Sequence, residues 1–554
     1  MPLDPIQLLK RYERMVQEHR NWEGLWQDIA DYIHPRRSQF TTTRMPGGKQ
    51  TERLFDSTAL DAHDRLASTL NGTLTSRATK WFTLKMRDEQ YDDVSEVKEW
   101  LEDCAGRMYR AVNQSNFAQE SSEMYSDETA FGTSALFCEE RNPTKKDFGG
   151  FVFRALALSD ICIDEDSEGR VNTVFRKFPM TGNAAIDKWG IDNVGKKIQK
   201  AFDDGKGDNN FNFLHVVLPR TVGASKDPVI GTPATKLPWA SGYVGMEDKN
   251  LISEGGFHEF PMMVPRWAKT PGEKYGRGPG HLALPDVKTL NKAKELGLKT
   301  WAKVLDMPTM TEDDGVVGNI RNHPGGNTIV RNTDRSLKPL YPPGTFRDAI
   351  GGDQLKTADL QASIRRYFYA DQMELPVGPA MTAFEVAKRF ELLQRLLGPT
   401  MGRQETEFLN PLIDRMFGIM LRHGALPKPP DVLVQAGAQI DVQYEGPLAK
   451  SQRLAEVEGL ERLQALVVNA ATLDPSIVDN IDYDEAIHLA ADVLGVPPKL
   501  LRDPDDVKKM RDQRAQQQAQ QQQIADTSSV AAAAGKAIPA IKTLMGGAGN
   551  GQGA

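Results

Sequence analysis

Two long helical stretches, about Pro285–Asp306 and Asp353–Met373, enclose an insertion at 307–352 that is poor in helix signals and rich in Pro, Gly and Asn. No other feature limits the fold as much. At 1.5 Å per residue the first stretch is roughly 33 Å long, and Val287, Leu290, Leu298, Trp301 and Leu305 group on one side of it. A lone pair of helices cannot bury apolar faces of that extent, so the pattern predicts that further surfaces cover them.

The other side of the first helix carries Lys288, Lys292, Lys299 and Lys303 within about 60° of one another at about 100° per residue, with Glu295 nearby. Two readings stay open: a solvated lysine face, or a face that meets passing phosphates or a neighbouring subunit. After the second helix comes a short segment, Glu374, Leu375, Pro376, Val377, Gly378 and Pro379. The next helix has a marked start: Thr382 caps it, Glu385 completes a capping box, and Met381 with Val386 supplies the hydrophobic staple.

Elsewhere the chain alternates in character. Helices are expected over about 5–34, where Pro35 stops the run, and over 57–74, 94–113 and 117–131. Between about Thr133 and Trp267, runs from Phe151, Thr173 and Phe213 have strand character and indicate a mixed α/β lobe. A Gly/Pro joint at 271–280 leads to the long helix, whose Pro285 is expected in the first turn. Short strands are expected at Val316–Val317 and Thr328–Arg331. Beyond a break at Gly398–Pro399, Phe408, Leu409, Leu412, Ile413, Met416, Phe417 and Met420 form one apolar face, and shorter helices follow at 447–469 and 483–494. From about Asp503 the composition turns low-complexity, with eight glutamines between Gln513 and Gln523. Such a tail reads as mobile, or as a fraying helix. The fold class is α+β, mainly helical.

Composition narrows the function. A chain of 554 residues needs several lobes, and 40% hydrophobic with 26% charged residues is the balance of a folded soluble protein. No apolar run approaches the length of a membrane span, and the first residues lead into a charged helical pattern without a signal-peptide core. Cys104, Cys138 and Cys162 form no CxxC pair, and His258-Glu259 lacks the second histidine of a zincin helix, so neither metal nor cofactor is expected. The net charge of -7 argues against a protein built to grip nucleic acid through its phosphates. Nothing matches GxxxxGK[ST] or GxSxG. Gly276-x-Gly278-x-Gly280 precedes a helix, but no strand leads into it and Pro279 interrupts it, so it reads as a flexible or sharply bent joint rather than a phosphate site. No catalytic constellation stands out, and the chain reads as a non-enzyme.

Five strings identify a likeness: LFDSTA from Leu54, WFTL from Trp81, VPRWAKTPGEKYGRGP from Val264, ALPDVKTLN from Ala283 and MTAFEV from Met381. Together, over about residues 1–500, the chain resembles the head-to-tail connector, or portal, family of short-tailed bacteriophages. The resemblance implies a ring of about twelve copies at one capsid vertex, through which double-stranded DNA is packaged and ejected. It assigns a wing to 1–280 with 384–440, an outgoing stem helix to 281–306, a clip to 307–352, a returning stem helix to 353–373, a tunnel loop to 374–383, a crown to 441–505 and a tail to 506–554. The lysines of the first helix and residues 374–379 become candidate channel-lining positions. Implied partners are the terminase, the major capsid or scaffolding protein and a tail adaptor, with the protein in the virion and, during assembly, in the host cytoplasm. A minor capsid or internal virion protein without a pore is the competing reading; a packaging motor or nuclease would need the nucleotide loop or acidic metal cluster that is missing.

Overall fold

The computed structural model describes residues 3–37, 39–43, 45, 47–77, 80–86, 94–141, 148–221, 224–225, 232–312, 319, 321–330, 338–339, 357–373, 397–436, 442–445, 457, 459–467, 483–494 and 507–521. They divide into two compact units, one of residues 1–89 with 100–448 and one of 90–99 with 449–554.

The larger unit opens with helix α1, Pro5–Tyr32, started by the Asp4 carboxylate accepting the Ile6 N–H and by Pro5 in the first turn. Its apolar face, Leu8, Leu9 and Met15, lies on a five-stranded antiparallel sheet. The strands β4 (Ile161–Glu165), β5 (Val171–Thr181), β6 (Asn210–Pro219), β7 (Trp239–Gly245) and β8 (Asn250–Phe257) pair in sequence order. Alternation along them separates two faces. Cys162, Phe175, Leu214, Val216 and Val244 meet α1. Phe178, Phe213 and Tyr243 point the other way, against the short helices α5 (Gly182–Trp189) and α6 (Lys196–Asp203) that carry Ala185 and Ile198. The expected mixed α/β lobe is therefore a helix, a sheet and a helix pair in three layers.

Helices α2 (Thr58–Leu74), α3 (Ser95–Asn113) and α4 (Phe117–Phe131) precede that sheet. A second, three-stranded sheet joins β2 (Ala135–Glu140) to β3 (Phe151–Leu156) and β9 (Met262–Met263), with β3 at its edge. An open edge invites pairing with other chains. Here side chains close it: Asn116 Oδ1 accepts the Phe153 N–H at 2.9 Å and Glu120 Oε2 the Ala155 N–H at 2.7 Å. Strand β1 (Thr83–Met86) lies apart from both sheets.

Helix α7, Pro279–Leu305, is longer than its expected start at Pro285. The proline of the first turn is Pro279, and Pro285 lies inside the helix. Two prolines six residues apart both suit a helix start, and only packing decides between them. After α7, strands β10 (Thr309–Glu312), β11 (Asn327–Val330) and β12 (Lys338–Pro339) form a small sheet within the insertion; the expected strand at Val316–Val317 lies outside the described residues. Residues 357–367 are helical (α8), Tyr369 takes a φ of 56°, and a short helix α9, Ala370–Met373, follows. Residues 397–404 are helical and run through a π turn, Glu405–Leu409, into α10, Asn410–Arg422, so Gly398 and Pro399 lie within helical residues and not at a break. Helix α11 (Asp431–Ala436) and strand β13 (Val442–Glu445), paired with β1, complete the unit. In the smaller unit, residues 459–467, α12 (Tyr483–Leu494) and 507–521 are helical, and Arg511 reaches Asp484 with both terminal nitrogens, at 2.5 and 2.7 Å. Part of the glutamine-rich stretch is thus a helix.

Candidate functional site

Helix α7 begins inside the core and ends outside it. Gly280, Ala283, Leu284, Val287, Leu290 and Asn291 are buried and fall within roughly 120° of arc at 100° per residue. Leu298, Trp301 and Leu305 fall on the same arc, yet are 56%, 56% and 73% exposed. One stripe is therefore covered by the fold at its root and bare beyond it.

The lysines run beside this stripe and are not free cations. Lys288 Nζ sits 2.6 Å from Asp28 of α1 and lies over the Tyr32 ring, so it ties α7 to the lobe. Lys292 and Lys299 share Glu295 at 2.9 and 2.5 Å, and between them hold its carboxyl down at about 2. Lys303 reaches the Asn322 side chain at 3.3 Å. Residues 374–379 and the helix start at Thr382 lie outside the described residues.

Three of the five strings that carry the likeness meet at the root of α7. Asn291 Oδ1 accepts the N–H groups of Phe55 and Asp56 at 2.7 and 3.1 Å, while Gln361 of α8 donates to Asp56 at 2.8 Å. The LFDSTA segment is clamped between two helices. Arg266, 1% exposed, reaches both Glu407 oxygens at 3.1 and 2.7 Å, Glu165, and the carbonyls of Gly169 and Lys274. Burial alone would lower its pKa; Glu407 and Glu165 outweigh that and raise it.

The glycine run serves a close approach. Helix α4 ends at Gly132 with φ 70°, and a methyl there would overlap the backbone of Arg277 and Gly278. A methyl at Gly276 or Gly280 would overlap the carbonyls of Gly132 or Ala130. The end of α4 thus fills the space over the α7 N-terminus that a phosphate would need, and His281 Nδ1 accepts the Gly278 N–H at 3.2 Å. Beside this crossing lie two buried acids. Asp127 meets Arg37 and His34, and burial lowers the His34 pKa although Asp127 opposes it. Glu128 receives the Gln404 amide, its second oxygen has no partner among the described residues, and burial pushes its pKa up to about 8.

A family model described as bacteriophage head to tail connecting protein matches residues 6–501. The chain belongs to that family. The connector is 29% identical over 526 residues to the probable portal protein of Bordetella phage BPP-1, covering 92% of this chain and 90% of that one. It is 28% identical over 522 residues to the portal protein of Salmonella phage epsilon15, covering 92% and 91%. Sequence reasoning found the lysine face but missed Arg266, Glu165, Glu407, Glu128 and Gln404. One signal was available: an arginine inside the otherwise apolar run 260–268, a few residues ahead of the Gly-x-Gly-x-Gly run. Among the described residues no cluster of His, Cys, Asp and Glu could hold a metal ion, and no helix is long and apolar enough to cross a membrane.

Proposed function

We propose that this connector works as a portal: about twelve copies close into a ring at one capsid vertex, and double-stranded DNA enters and leaves through the pore. The apolar stripe of α7 carries the reading. A soluble chain seldom leaves such a stripe in water, and a neighbouring copy supplies the missing cover. Each large apolar side chain buried there contributes about 1.5–3 kcal/mol, repeated at every interface. In this reading α7 and the helices at 357–373 are the stem, the small sheet belongs to the clip at 307–352, residues 1–280 with 384–440 form the wing, 374–383 the tunnel loop, 441–505 the crown and 506–554 the tail. Its partners are terminase, a tail adaptor and the major capsid or scaffolding protein, and it is found in the host cytoplasm during assembly and then in the virion.

The test is the state of assembly. Wild-type protein should sediment far above a single chain and show rings with a central pore in negative stain. Trp301→Asp with Leu305→Asp should shift it to monomers and small oligomers with helix content unchanged. A monomeric wild type, or unaltered rings in the double variant, would refute the stem assignment.

The lysine face fits a channel that guides DNA without holding it. Lys292, Glu295 and Lys299 sum to one positive charge, so each copy offers little salt-sensitive grip. Lys292→Glu with Lys299→Glu reverses that sign at every copy. Exposed ion pairs contribute at most about 1 kcal/mol, so rings should still form. DNA packaged per capsid should fall; normal packaging by confirmed rings would remove these lysines from the channel.

A further inference from the structure

A cleft of about 620 Å³ opens on the larger unit, and three arginines line it with no carboxylate among the described lining residues. Arg107, Arg110, Ala111 and Gln114 come from the last turns of α3 and the residue after it, spaced so that one helix face forms a wall. Arg141 and Phe148–Phe151, from the connection between β2 and β3, form the opposite wall; Met420 and Ala425 lie below. All three guanidinium-bearing residues are exposed, and none makes an ion pair among the described residues. Arg107 Nη1 donates to the Ala425 carbonyl at 2.9 Å and Arg110 Nε to that of Gly106 at 3.3 Å. These contacts position the side chains and leave most of their N–H donors unused. Glu140, next to Arg141, is engaged by His423 at 2.9 Å.

Three like charges converging on one cleft repel one another unless an anion joins them, and the chain as a whole is acidic at -7. We infer that this cleft binds an extended acidic peptide segment of a protein partner, with its carboxylates taken by Arg107, Arg110 and Arg141. Planar guanidinium forks match carboxylates two bonds at a time, which a lysine cannot do. Gly149 and Gly150 present bare backbone, so a peptide main chain can come close. Single-stranded nucleic acid needs an open aromatic face for its bases. The cleft has none to spare: Phe151 is 1% exposed, and Phe148 packs edge-on against it at 4.9 Å.

The assembled protein should bind fluorescein-labelled hexaglutamate, read by fluorescence anisotropy at about 50 mM salt, with affinity falling as salt rises. Arg110→Glu with Arg141→Glu should weaken binding at least tenfold, and Arg110→Lys with Arg141→Lys should fall between, since charge remains but the fork is lost. An eight-residue oligothymidylate should bind wild type and the Glu variant alike. Equal hexaglutamate binding by wild type and the Glu variant, or none by wild type, overturns the proposal. Tighter binding of oligothymidylate, lost in the Glu variant, overturns it in favour of nucleic acid. Assembly lost in the Glu variant, with wild type indifferent to the peptide, overturns it in favour of a neighbouring copy.

Discussion

Gly132→Ala should cost about 3–4 kcal/mol of stability, a large share of what a folded unit has to lose. Two independent penalties combine there. Gly132 holds φ 70°, a conformation that strains any residue with a Cβ. The added methyl also meets Arg277 C and Cα at 2.5 and 2.7 Å, and the Gly278 nitrogen closer still. These are backbone atoms, which cannot swing aside as a side chain would. Relief requires the root of α7 to move away from α4, breaking the Gly276 N–H contact to Thr133 Oγ1 at 2.7 Å and disturbing Arg266. Gly24→Ala is the control: it sits in α1 with nothing within 4 Å of its Cβ, and should be neutral or stabilising by up to about 1 kcal/mol. Thermal melts of the two variants beside wild type decide it. A loss below about 1 kcal/mol for Gly132→Ala would mean that the helix root yields, and that α7 is not held by this crossing.

The contrast between these two glycines also marks what the sequence could disclose. Element positions were legible because their signals are local. The opening helices expected at 5–34, 57–74, 94–113 and 117–131 are observed at Pro5–Tyr32, Thr58–Leu74, Ser95–Asn113 and Phe117–Phe131, since apolar periodicity and nearby turn residues set both ends. The root of α7 was not legible. Arg266 finds Glu165 and Glu407 across 101 and 141 residues, and Glu128 finds Gln404 across 276. No periodicity links such partners. The glycine run was conspicuous, but a glycine serves flexibility, a turn or a close approach equally well, and only its neighbour reveals which. At Pro279 and Pro285 the local rule applied to both and the fold chose the earlier. The bare half of α7 is the opposite case: its apolar pattern was evident from the sequence, and the structure adds where cover by the chain itself stops.

Glu128 should make stability fall with rising pH, and Glu128→Gln should remove most of that fall. Its carboxyl is fully buried at the end of α4, with Gln404 donating to one oxygen, Glu407 nearby as a like charge, and the other oxygen unpartnered among the described residues. Burial is the leading cause of its raised pKa, from 4.5 to about 8. The folded protein therefore keeps a proton that the unfolded chain releases between those values. Stability is highest below the unfolded pKa and is lost as pH rises toward 8, by up to roughly 1.4 kcal/mol per pH unit and a few kcal/mol across the window. His34 acts at the other end, since a buried neutral imidazole whose pKa is lowered costs stability as pH falls below its ordinary value. That contribution is common to wild type and variant and cancels in their difference. The side-chain amide introduced by Glu128→Gln would keep an oxygen for the Gln404 donor and would never ionise, so the two proteins should melt alike near pH 5, diverge up to about pH 8 and level off above it, the variant being the more stable. Melting temperatures of both at half-unit steps over that range are the measurement. Parallel curves would show that Glu128 gives up its proton without cost, and that the joint beneath α7 admits enough water or counter-charge to hold a carboxylate.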